Sequence, residues 1–139
     1  MDNQEMISEV IAHRVKDESL LDVVNLANMG VGLGITLLVE GQVIVGDLIS
    51  GKAYFEKLAA KMLTSTGGEE IASIVSKMFG DFGKEHYDKD SKDVPLNYLH
   101  LENYAFLKGD GSLMNVSSSL MRICIEKISG YAIGKPTYL

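Results

Sequence analysis

The sequence predicts an α+β fold: a small antiparallel, partly open β-barrel of the Sm or SH3-like kind, or a curled sheet. About five strands are expected, with N-terminal helices and a helical insertion between strands two and three. Three observations point to it. Ile35, Leu37 and Val39 alternate before Glu40-Gly41, and Val43 and Val45, or Ile44 and Leu48, alternate after it, so two strands flank a glycine-containing turn. Helical spacing of apolar residues occupies the segments before and after this hairpin. Branched and aromatic residues then return from Leu96 to Leu107 and from Leu120 to Gly134, separated by glycine-rich punctuation.

A chain of 139 residues with 46% hydrophobic content can support one domain, because a domain of this size hides roughly 68% of its unfolded surface. The expected division of this single domain, 1–139, is N-terminal helices over 1–30, the hairpin over 33–50, a helical insertion over 51–80, a mobile loop over 81–95 and C-terminal strands over 96–135.

Each element has a local reason. Ile7, Val10, Ile11 and Val15 are helically spaced; Asp17-Glu18 interrupts them, and Ser19 is the expected N-cap of a second helix, with Asp22 in its first turn. Leu20, Val23, Val24 and Ala27 share a face of that helix, and Asn28-Met29-Gly30 ends it. Gly30, Gly32 and Gly34 let the chain turn into the hairpin. Ser50-Gly51 caps the next helix, whose inward stripe is Tyr54, Phe55, Leu58 and Met62, and which is expected to lie across the hairpin. Thr66-Gly67-Gly68-Glu69 has capping-box spacing, and Ile71, Ile74, Val75, Met78 and Phe79 continue the helical period until Gly80.

Asp81 to Pro95 alternates acidic and basic residues with almost no apolar content, which suits a loop. Tyr98 to Leu107 reads as a strand ended by the turn Lys108-Gly109-Asp110-Gly111. Two further strands, Leu120 to Ile128 and Gly130 to Gly134, flank a bend near Glu126 to Gly130, the second either bending back along the first or continuing it. Pro95 and Pro136 fall where strands begin or end.

Charge and cysteine content narrow the function. Thirteen basic against nineteen acidic residues give a net charge of -6, which repels phosphate backbones and makes nucleic acid an unfavoured partner. No apolar stretch approaches membrane-spanning length and the N-terminus lacks the pattern of a signal peptide, so a soluble cytoplasmic protein with no membrane partner is expected. The lone Cys124 lies in an apolar run and reads as a small buried hydrophobe in reducing surroundings.

The sequence assigns no catalytic, cofactor-binding or metal residue, because each near-motif breaks at a chemically necessary position. Gly46-Asp-Leu-Ile-Ser-Gly51-Lys52 matches a phosphate loop as far as its lysine, but Ala53 has no hydroxyl for magnesium. Gly30-Val-Gly-Leu-Gly34 resembles a dinucleotide loop, yet Ile35 stands where its third glycine would fall and a strand follows. Asp88, Asp90 and Asp93 begin like a calcium loop but lack its glycine, and Leu99 replaces the closing glutamate. Asp81-Phe82-Gly83 copies a kinase triplet in a chain too short for that fold.

His13, His86, His100 and Cys124 have no zinc-ligand spacing. His100, on an apolar strand, is expected to be neutral and hydrogen-bonded at a barrel surface; pairing it with Ser117-Ser118-Ser119 in a hydrolase is conjecture. Alternation places Arg122 on the face opposite Met121 and Ile123, in a surface role or a partner contact.

The order of these pieces is similar to the gas vesicle accessory proteins called U. The likeness rests on Asp17-Glu18-Ser19-Leu20 leading a short helix, the run Gly34 to Ser50, then Tyr54-Phe55. It resumes with Tyr98-Leu-His-Leu-Glu-Asn103, and with Arg122 ahead of Ile128-Ser-Gly-Tyr-Ala-Ile-Gly-Lys135. The segment before Asp17 and the stretch from Asp81 to Pro95 lie outside it. The resemblance implies a cytoplasmic, non-enzymatic protein without cofactors that acts through contacts with other proteins, gas vesicle components among them, in assembly, clustering or protection. The strand arrangement also resembles Sm-like open barrels, some of which form rings and bind RNA; this gives the alternative of an oligomeric module for RNA or another polymer.

Overall fold

The computed structural model describes residues 16–64, 67–88, 94–116 and 118–136. Helix α1 (Glu18–Asn28) is followed by the hairpin β1 (Leu33–Val39) and β2 (Gln42–Ile49), then by helices α2 (Gly51–Leu63) and α3 (Gly68–Tyr87). Strands β3 (Tyr98–Leu107), β4 (Leu113–Asn115), β5 (Leu120–Cys124) and β6 (Ile128–Ile133) complete it, with a 3₁₀ turn over Ile125–Lys127 between the last two. The expected helix over Ile7 to Val15 lies outside the described residues.

All pairings are antiparallel, in the order β4-β3-β2-β1-β6, with β5 also on β3. Glu40 and Gly41 both have positive φ, as the two-residue turn between Val39 and Gln42 requires. The α+β class, the partly open sheet and the helical insertion between strands two and three therefore hold. Among the described residues the sheet has six strands against about five expected, the additional one being the three-residue β4, too short to show a period.

A bulge organises the far side of the sheet. Val45 pairs with Ala105 and Asp47 with Glu102, so Asn103 and Tyr104 oppose Gly46 alone, and Asn103 has φ 51. The bulge divides β3: Tyr98 to Glu102 pairs with β5, and Ala105 to Leu107 pairs with β4, along the same edge. Ser119 fastens it, its carbonyl accepting from the Asn103 amide at 3.0 Å and its hydroxyl accepting from the Tyr104 amide at 3.0 Å.

Chain connectivity makes the sheet curl. Only the 3₁₀ turn separates Cys124 at one margin from Ile128 at the other. Four peptide steps reach at most about 15 Å, whereas a flat sheet of this order would hold those margins about 19 Å apart. Inside the curl, Ile35, Leu37, Ile44, Leu48, Leu99, Leu101, Ile123 and Ile125 pack with Leu20, Val24 and Ala27 of α1. A second cluster, Tyr54, Phe55, Tyr87 and Val94, lies under the helical insertion.

Several local expectations change. The N-cap of α1 is Asp17, whose carboxylate accepts from the Ser19 amide at 2.8 Å, while the Ser19 hydroxyl is bonded to that of Tyr131. An aspartate two positions earlier reaches the free amides of the first turn. The N-cap of α3 is Gly67, without a side-chain bond, rather than the expected Thr66, which lies outside the described residues. Most consequentially, α3 does not stop at Gly80 but runs to Tyr87, so the expected 81–95 loop is helical over its first half; residues 89–93 lie outside the described residues.

The reason is contact with α2. A Cβ at Gly80 would meet Ala59 at 3.7 Å, whereas one at Gly83 would lie 2.5 Å from the Phe55 Cβ and one at Gly51 2.1 Å from the Tyr87 ring. These glycines admit a neighbouring helix or ring rather than ending a helix.

Candidate functional site

Alternation along β3 and β5 builds the site. Leu99, Leu101 and Ile123 enter the interior, so His100 and Arg122, directly paired across the strands, face the helical insertion. Helix α2 brings Tyr54 and Phe55 over them, and α3 brings Phe82, His86 and Tyr87.

The rings are in mutual contact. Tyr54 lies 4.6 Å and Tyr87 5.2 Å from His100, and Phe55 lies 4.9 Å from Phe82 and 5.6 Å from Tyr87, centroid to centroid. The Arg122 guanidinium sits 3.9 Å from the Tyr98 centroid and 5.5 to 5.6 Å from those of Phe55 and Phe82. Its Nη1 donates to the Tyr87 hydroxyl at 3.1 Å and lies 3.1 Å from His100 Nε2.

These contacts fix the protonation of His100. Arginine only donates, so Nε2 must accept and the ring proton resides on Nδ1. Burial, with the Arg122 charge as a second cause, pushes the imidazole down to about 3, from an ordinary 6.5. His100 is thus neutral and hydrogen-bonded, as expected, but 2% exposed beneath the helices rather than at a surface. Burial also raises the Tyr54 phenol above its ordinary value, with Arg122 opposing. Arg122 is half-buried, and among the described residues no carboxylate lies within ion-pair distance of it.

Beside Arg122 a cavity of about 270 Å³ opens between Tyr54, Phe55, Met78, Phe79 and Phe82. It continues onto the outer face of α3, where Ile71, Ile74, Met78 and Phe82 are 56%, 64%, 56% and 38% exposed. At spacings of three, four and four residues these form one row along the helix, roughly 16 Å long at 1.5 Å per residue.

The other singled-out residues have structural employment or lie elsewhere. Gly46 is buried in β2 against Leu101, Gly51 starts α2 against Tyr87, and Lys52 pairs with Asp88 at 3.1 Å; no phosphate loop is formed. Asp81 pairs with Lys77 at 2.6 Å, Phe82 joins the ring cluster and Gly83 receives Phe55, so the kinase-like triplet is three packing roles. Cys124 is half-buried rather than buried. His13, Asp90, Asp93 and Ser117 lie outside the described residues. Phe82 and Tyr87 escape sequence reasoning because they fall in the expected loop, although Met78 to Phe82 and Phe79 to Tyr87 keep the i, i+4, i+8 spacing that would have extended the helix.

Fold and site together define a class of small α+β module with an aromatic-lined arginine pocket and an apolar helical face. The family described as gas vesicle protein GvpU-like matches residues 17–136, and the chain belongs to it. No curated protein and no solved structure gives a significant match. No helix among the described residues is long and apolar enough to cross a membrane.

Proposed function

We propose that this chain is a non-enzymatic, cytoplasmic accessory protein that binds gas vesicle components and serves their assembly, clustering or protection as a single domain. The family supplies the gas vesicle association. The observation that carries the contact mode is the exposed row Ile71, Ile74, Met78 and Phe82 on α3. Four apolar side chains aligned on one helical face leave hydrocarbon in water that a partner surface would remove, at about 25 cal/mol per Å² of apolar area covered. The net charge of -6 keeps a protein with such a face dispersed.

The described lysine pairs disfavour the RNA-binding alternative, since Lys52, Lys57, Lys77, Lys127 and Lys135 each face a carboxylate and offer phosphate little unneutralised charge. Affinity capture from lysate of gas-vesicle-producing cells tests the reading. The native chain should retain gas vesicle proteins, and Ile74→Ser with Met78→Ser should release them; equal recovery on both would remove α3 as the contact. Generic RNA at low salt should give no complex.

A further inference from the structure

We propose that the cavity beside Arg122 is a carboxylate subsite, which takes an aspartate or glutamate side chain from an amphipathic partner helix lying along the α3 row. The inference rests on the reading of α3 as a docking face.

Four observations converge on that occupant. The cavity, about 270 Å³, falls below the roughly 300–1,000 Å³ of sites for whole small molecules and suits one side chain. Among the described residues its only charged lining group is Arg122; the others are Tyr54, Phe55, Met78, Phe79 and Phe82. Both described hydrogen bonds of the guanidinium leave from Nη1 and go to groups without negative charge, and a guanidinium in an apolar wall binds a carboxylate through two parallel N–H donors. Finally, Met78 and Phe82 belong both to the cavity wall and to the exposed row. A partner covering the row therefore passes over the cavity mouth.

The geometry favours a helix as the bearer. The row is spaced at helical intervals and spans about three turns, and a second helix with apolar residues at i, i+3, i+4 and i+7 meshes with it ridge into groove. An acidic residue at the margin of that stripe is then carried to Arg122. A phosphate group is a poorer fit, because Arg122 is the single cation among the described lining residues and phosphate sites draw on several converging donors.

The test uses two fluorescein-labelled synthetic helical peptides, identical in their leucine stripe, one with a glutamate at its margin and the other with glutamine there. Anisotropy titrations against the full-length chain should show the glutamate peptide binding about tenfold tighter. The ratio should fall to about one with Arg122→Gln and be partly kept with Arg122→Lys. Should Arg122→Gln fail to fold, Met78→Glu gives the same answer from an exposed position: its own carboxylate occupies the guanidinium and removes the preference.

Equal binding of the two peptides, absence of binding, or a preference that survives both substitutions overturns the proposal. So does tighter glutamate-peptide binding after Asp90→Asn with Asp93→Asn, which would make a carboxylate of this chain the resident occupant. If gas vesicle proteins are captured but the peptides bind alike, only the carboxylate assignment falls. Discrimination between the peptides without such capture removes only the gas vesicle partner.

Discussion

Acidification is the sharpest probe of the buried pair at the site. In the folded chain His100 protonates at about 3, against 6.5 in the unfolded chain, because burial disfavours the cation and because its Nε2 faces an Arg122 donor at 3.1 Å. A proton there would set two donors and two positive charges against each other. The folded value is the lower one, so between the two values the unfolded state binds more protons, and stability falls as pH drops below 6.5 and levels off below about 3. Each unit in that window removes about 1.4 kcal/mol. From pH 7 to pH 5 the loss is therefore about 2 kcal/mol, a sizeable share of the 5–15 kcal/mol that usually holds a domain folded. Urea unfolding followed by circular dichroism at pH 7, 6 and 5 reads the slope. His100→Gln keeps an acceptor for Arg122 but cannot titrate, so its midpoint should vary less over the same range. Parallel pH dependence in the two proteins would refute the account.

The glycines of the helical insertion should separate by contact distance. Gly83→Ala and Gly51→Ala, each creating a Cβ within 2.5 Å of Phe55 or Tyr87, should lose about 1–3 kcal/mol in chemical denaturation. Gly80→Ala meets only Ala59 at 3.7 Å and should be neutral or gain up to about 1 kcal/mol from helix propensity. Asp17→Ala removes the cap of α1 and should lower stability by about 1 kcal/mol, whereas Ser19→Ala, which leaves that cap intact, should preserve the helix signal. Ile74→Ser, at a residue 64% exposed, should change the unfolding free energy by less than about 0.5 kcal/mol while weakening partner capture; a large loss of stability would mean that the row serves folding instead of binding.

Most of the scaffold is legible from local pattern. Period-two alternation places the hairpin, its Glu40-Gly41 turn and the long strand β3, and the same alternation puts Arg122 opposite Met121 and Ile123. Tyr54 and Phe55 read as inward because they belong to a helical stripe, and they are buried. The helix over 81–87 is not legible, since Gly80 and Gly83 carry the same letters whether they end a helix or admit another helix against it. The α3 row also looks like a core stripe, yet Ala72 and Gly83 are its buried side and Ile71, Ile74 and Met78 face outward. A helical period identifies an apolar face; the partner helix selects which part of that face is covered.

By itself the sequence determined the class of fold, the order of its principal elements, the opposite facing of Arg122 and its neighbours Met121 and Ile123, and the membership of residues 17–136 in the gas vesicle family. Only the tertiary structure decided that His100 stands beside Arg122, that Tyr87 reaches both and that Met78 and Phe82 open an apolar row into their cavity. The physical reason is that periodicity records burial one residue at a time along a single element. Register between β3 and β5 and the glycine-mediated approach of α2 and α3 are relations between elements, set by which contacts close together in space.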